Sequence, residues 1–129
     1  MDILLVENSE MFSSWVAAQI QKIPGAEITA IITECDAAIA EVKSNTPDVV
    51  VLDLNINGGN GMDVLKTIKK NKLKTKVLVF TNYTVFKEQC MEYDAEYFFD
   101  KSNDFEELIF TIEKMTNELN NKNYNNNKK

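Results

Sequence analysis

The runs ILLV at Ile3–Val6 and VVVL at Val49–Leu52 contain no polar residue. A strand with one wet face alternates apolar and polar side chains, so a short run without alternation reads as a strand buried on both faces. Three further segments read as strands: the β-branched Glu27–Ile32, Val77–Phe80 ending at Thr81, and the short Tyr97–Phe99. Between them the apolar period changes to three and four. Phe12, Val16 and Ile20, with Trp15 beside them, predict a helix over Met11–Ile23, capped by Asn8 or Ser9 and stopped by Pro24-Gly25. Thr33 and Asp36 form a weak capping box before a helix carrying Cys35, Ala38, Ile39 and Val42, which Pro47 ends. Helices are also expected over Met62–Lys69 and Thr84–Met91. The strongest periodicity is that of Phe105, Leu108, Ile112, Met115 and Leu119. Five strand–helix repeats predict an α/β domain, doubly wound by right-handed crossovers, with a parallel sheet covered on both faces. The rhythm does not order the strands.

A chain of 129 residues suits one domain, placed at 1–120. The segment 121–129, rich in Asn and Lys, cannot build a core and is expected to be a disordered tail. The segment NINGGNG at Asn55–Gly61 holds three of the four glycines and reads as a tight loop. The N-terminus resembles neither a signal peptide nor a membrane span, and no DNA-binding or enzymatic domain is expected after residue 120. A net charge of −6 makes nucleic acid a poor direct partner. The absence of histidine excludes histidine metal ligands, Ser-His catalysis and phosphohistidine within these residues. Cys35 and Cys90 fit free thiols in a reducing cytoplasm.

Polar residues collect where strands end: Glu7 and Asn8, Asp53, Thr81, and Asp100 with Lys101. In open α/β sheets the functional crevice lies at the carboxyl ends of the strands. Two carboxylates among oxygen donors suit a hard cation such as Mg²⁺, and a lysine adds a compact positive charge. An aspartate in that setting can act as a nucleophile toward a phosphoryl group. Each residue taken alone has an ordinary structural reading. Asp53, Asn8 and Thr81 can be turn formers or caps, and Glu7 and Lys101 solvated strand exits. The chemical reading gains weight because all of them fall on one edge of the sheet.

LLVEN at Leu4–Asn8, VVLDLNINGGNG at Val50–Gly61, LVFTN at Leu78–Asn82 and YFFDKS at Tyr97–Ser102 together resemble the receiver domains of two-component response regulators, over about residues 1–120. The resemblance implies a flavodoxin-like five-stranded sheet of order 2-1-3-4-5. It implies that Asp53 accepts a phosphoryl group from a histidine kinase or phosphotransfer protein. It places Mg²⁺ on Glu7, Asn8, Asp53 and the backbone carbonyl of Asn55, and the phosphoryl group against Thr81 and Lys101. Thr81 and Phe98 occupy the switch positions. Self-catalysed loading from small donors and self-catalysed hydrolysis come with the resemblance, as does a state-dependent surface on helix four, strand five and helix five. Here that surface includes Val85, Phe86 and Tyr97, open to a protein target or a second copy.

The chain departs from the family pattern at several positions. Asn8 stands where a second carboxylate is usual, which predicts weakened Mg²⁺ binding. Asn57 and Ser102 stand where proline is usual, and Asn82 where Ala or Gly is common. Two other readings compete: a receiver-like protein-binding module that works without phosphate, and an unrelated doubly wound flavin or nucleotide binder. Against the second, VENSE after the first strand is a poor phosphate cradle.

Overall fold

The computed structural model describes residues 1–127. Five strands form the main sheet: β1 (Asp2–Val6), β2 (Glu27–Ile32), β3 (Val49–Leu52), β4 (Lys76–Thr81) and β5 (Tyr97–Asp100). All neighbours are parallel, in the order β2-β1-β3-β4-β5. The helices are α1 (Glu10–Gln21), α2 (Cys35–Asn45), α3 (Gly61–Lys70), α4 (Lys87–Glu92) and α5 (Phe105–Asn127).

The unbroken apolar runs explain the layering. Successive strand side chains point to opposite faces, so each run feeds two cores. Leu4, Val6, Val50, Leu52, Val77 and Val79 pack with α2, α3 and Cys90 of α4. Ile3, Leu5, Val49, Val51, Leu78 and Phe80 pack with Val16, Ala17 and Ile20 of α1 and Leu108, Ile112 and Met115 of α5. β2, at the edge, alternates exposed and half-buried residues instead.

Four local expectations differ from the structure. The glycine-rich segment is a small hairpin, Asn55–Ile56 against Gly59–Asn60, turning at Asn57-Gly58 with Gly58 at φ +74°. An Asn-Gly pair between two short strands is a hairpin signal. The expected Thr33–Asp36 capping box does not form: Glu34 is the N-cap of α2, with no side-chain cap. The hairpin tip replaces it, since the Asn57 carbonyl accepts from Cys35 N–H at 2.9 Å and Asn57 N–H donates to the Thr33 carbonyl at 3.0 Å. The helix expected over Thr84–Met91 begins as a 3₁₀ turn, Thr84–Phe86, and becomes α-helical at Lys87. The tail expected to be disordered from residue 121 is helical through Asn127, while 128 and 129 lie outside the described residues. Composition argues against a core there, but a helix already nucleated by a packed segment extends at the gain of one hydrogen bond per residue.

Candidate phosphoacceptor site

Ladder bonds that continue just past the strand ends set the polar residues side by side. Glu7 N–H donates to the Ile32 carbonyl at 3.1 Å, Asp53 N–H to Val6 at 2.9 Å, and Lys101 N–H to Thr81 at 3.0 Å. Four side chains of the five strand exits meet: Glu7, Asp53, Thr81 and Lys101. The Lys101 amine lies 2.6 Å from Asp53 Oδ2, 2.6 Å from Glu7 Oε1 and 3.1 Å from Glu7 Oε2. Thr81 Oγ1 donates to Asp53 Oδ1 at 2.8 Å, and Asn55 N–H donates to the same oxygen at 3.1 Å. Tyr83 N–H in turn donates to Thr81 Oγ1 at 3.2 Å.

Glu7, Asp53 and Thr81 are buried, at 4%, 6% and 0% exposure. Two buried carboxylates with one ammonium leave a negative charge uncompensated. Burial pushes both carboxyls up. For Asp53, the hydrogen bond from Lys101 outweighs burial, aided by Asn55 N–H and the lysine charge, and its net direction is down. For Glu7 burial wins over the lysine, and the Asp53 charge adds to it, so its direction is up. The pair is thus pushed apart, with Asp53 as the member held anionic.

The remaining expected site residues sit differently. Asn8 is exposed at the mouth of the site and enters its hydrogen bonding through its backbone N–H, which donates to Glu7 Oε2 at 3.0 Å. Asn55 is exposed, and its N–H donates to Asp53 Oδ1. Phe98 is half-buried on β5, packed against the core under α2, α3 and α4. Among the described residues no three His, Cys, Asp or Glu side chains are grouped as a cation site.

The departures from the family pattern have local roles. Asn57 N–H makes the bond to Thr33 noted above, which a proline could not make. Ser102 Oγ donates to Asn82 Oδ1 at 2.8 Å, tying the exits of β4 and β5 together. Asp100 serves the turn after β5, accepting from Ser102 N–H at 2.9 Å.

Two further residues shape the site. Gly61 opens α3 directly over the Asp53 backbone. A Cβ there would overlap the Asp53 carbonyl oxygen and come within 2.7 Å of Leu54 Cα. Phe12, which reads in sequence as a core residue of α1, carries its ring under the Lys101 amine, 4.9 Å from the ring centre. Helical spacing held no signal for that contact, because it joins residues from opposite ends of the chain.

The profile of the family described as response regulator receiver domain matches residues 3–113. The chain belongs to this family. Receiver domains of this kind typically accept a phosphoryl group on an aspartate and change a protein-binding surface, and they work with histidine kinases or phosphotransfer proteins. The DNA-binding transcriptional activator EvgA of Escherichia coli K12 is 30% identical over 93 residues, covering 70% of this chain and 46% of that protein. The sensory transduction protein LytT of Bacillus anthracis is 25% identical over 112 residues, again covering 46% of its own length. This receiver chain therefore spans about half of these relatives. Among solved structures, a LuxR-family DNA-binding response regulator from Staphylococcus aureus superposes with a TM-score of 0.82 at 26% identity, covering 89% of this chain and 98% of that one. The Mn²⁺-bound form of response regulator Rcp1 gives 0.73 at 27% identity, covering 88% and 90%. No helix among the described residues is long and apolar enough to cross a membrane.

Proposed function

We propose that Asp53 is the phosphoacceptor of this receiver domain, loaded by a histidine kinase or phosphotransfer protein. The observation that carries this reading is the Asp53 carboxylate itself: buried, anionic, and held by Lys101, Thr81 and Asn55 N–H. An Asp53 oxygen attacks phosphorus as the donor's bond to it breaks, and an aspartyl phosphate forms. Lys101 and Thr81 then meet the transferred oxygens, so positioning and charge neutralisation supply the catalysis. Water reverses the modification by hydrolysing the acyl phosphate.

The donor set fits Mg²⁺, since both acidic groups offer oxygen and together exceed the lysine charge. Glu7 and Asp53 would hold the ion, with Asn8 and the Asn55 carbonyl as the further oxygens. The Mn²⁺-bound form of Rcp1 supports a divalent ion in a related domain. Such an ion supplies positive charge to the phosphoryl oxygens during transfer. Movement of Thr81 toward the phosphoryl group breaks its bond to Asp53, and Phe98 repacks in response. The surface of α4, β5 and α5, including Val85, Phe86 and Tyr97, then changes its affinity for a protein target or a second copy.

Mass measurement after incubation with an acyl phosphate and Mg²⁺ tests the reading. One phosphoryl group is expected on the unsubstituted chain and none on Asp53→Asn. An unmodified chain under conditions that load another receiver would favour a phosphate-independent binding module. For the metal, Asn8→Asp is expected to tighten Mg²⁺ about tenfold by adding a third carboxylate. It should also lower metal-free stability by no more than about 1 kcal/mol, because position 8 is exposed and screened. Calorimetric titration of both proteins decides this, and equal or weaker affinity in Asn8→Asp would remove residue 8 from the metal site.

A further inference from the structure

Lys101 is held by more than its two carboxylates. Its amine lies over the Phe12 ring, 4.9 Å from the centre, while reaching Glu7 and Asp53. The ring is itself seated by the fold. Ser9 caps α1 by accepting from Phe12 N–H at 3.3 Å, which fixes the first turn. Phe80, one residue before Thr81, stacks on Phe12 at 6.1 Å and 20°. Trp15 tilts against Phe12 at 6.1 Å and against Phe105 at 4.7 Å, and Phe105 closes on Phe80 at 6.2 Å. Four aromatic rings from α1, β4 and α5 thus buttress one face beneath a largely buried ammonium, whose side chain is 14% exposed.

From this geometry we infer that Phe12 is a positioning residue, whose ring holds the Lys101 ammonium on the carboxylate pair. An aromatic face attracts a cation through its quadrupole, most strongly where water is excluded. Four rotatable torsions lie between the Cα of lysine and its amine, so without a backstop the amine samples many rotamers. The carboxylates set where the charge is wanted, and the ring removes alternatives on the opposite side. In the phosphoacceptor reading, on which the catalytic consequence rests, the same ring keeps Lys101 aimed at the transferred group.

The test compares Phe12→Leu, which keeps an apolar side chain and removes the ring, with Phe12→Tyr, which restores it. Phe12→Met stands in should the leucine protein fail to fold. In metal-free, phosphate-free protein, proton–nitrogen NMR of the Lys101 ammonium reports how firmly it is held. Exchange of its protons with water is expected to be about fivefold faster in Phe12→Leu and unchanged in Phe12→Tyr. Loading from an acyl phosphate at saturating Mg²⁺ is expected to slow about fivefold in Phe12→Leu, to recover in Phe12→Tyr, and to show no further Phe12 effect in a Lys101→Met background. Unchanged ammonium exchange in Phe12→Leu, or an equal loading loss with and without Lys101, would make Phe12 a packing residue and overturn the inference. Failure of the unsubstituted chain to load would instead overturn the phosphoacceptor reading, and the ammonium measurement would still decide the role of Phe12.

Discussion

Gly61→Ala is expected to destabilise the domain by about 3 kcal/mol and to slow loading of Asp53 sharply. The reason is space. The added methyl would overlap the Asp53 carbonyl oxygen, with Leu54 Cα at 2.7 Å and the Asp53 carbonyl carbon at 3.0 Å. These are backbone atoms at the end of a fully buried strand, so they cannot swing aside as a side chain could. Gly61 N–H also donates to the Leu54 carbonyl at 2.9 Å, which locks α3 against the strand exit. Relief requires α3 or the Asp53 loop to move, and either motion misaims the carboxylate. Gly58→Ala provides the contrast. Gly58 has φ +74° with nothing within 4 Å of a new Cβ, so its cost is conformational and about 1 kcal/mol. Urea denaturation of both variants checks the pair. A Gly61→Ala loss no larger than that of Gly58→Ala would show that the close approach is not rigid.

Lys101→Met is expected to produce the second large effect, on stability as well as on loading. The amine lies 2.6 Å from each of two buried carboxylates, and removing it leaves like charges facing each other. Breaking one side of a buried ion pair costs about 3–5 kcal/mol at neutral pH. The pH dependence has a definite sign. With the lysine, Asp53 sits below its ordinary value of 3.8, so its contribution is present at neutral pH and lost as pH falls through the folded value. Without the lysine, burial and mutual repulsion raise both carboxyls above their ordinary 3.8 and 4.5. A raised carboxyl penalises the folded state increasingly as pH rises. The deficit of Lys101→Met should therefore be largest near pH 7 and shrink toward pH 4. Loading should fall about 100-fold or more, since a positioned charge on the transferring group is lost. Thermal melts from pH 4 to 8 read the first effect and phosphoryl uptake the second. A pH-independent deficit would mean that the amine contributes packing alone.

The two carboxylates also explain why Glu7 is a costly residue to keep. Its carboxyl is pushed up by burial despite the lysine, so the charged form is strained in the metal-free protein. A purely structural selection would favour an amide there. A site meant to receive a divalent cation gains from that excess negative charge when the ion arrives. Asn8 moderates the same excess, because a third carboxylate beside Glu7 would increase the repulsion before any ligand binds.

Local chemistry determined the architecture. ILLV and VVVL lack alternation, and such runs are stable where both faces are covered, so parallel pairing and two helical layers were legible from residue order alone. Strand exits were legible for the same reason, since the apolar run must stop where burial stops, and Glu7, Asp53, Thr81 and Lys101 mark those stops. The spacing did not carry strand order, which came from resemblance and depends on which edges pair in space. Contacts between distant segments decided the rest. Asn57 caps α2 through its backbone in place of Thr33 and Asp36, because a loop carbonyl brought within reach satisfies the helix terminus without a side chain. Gly61 needs no Cβ because the Asp53 backbone passes beneath it, and Phe12 backs Lys101 because α1 lies under the exit of β5. Periodicity reports how much of a side chain must be buried. It does not report which partner, 48 residues away as for Lys101 and Asp53, will share the burial, because that is set by the packing of the completed sheet.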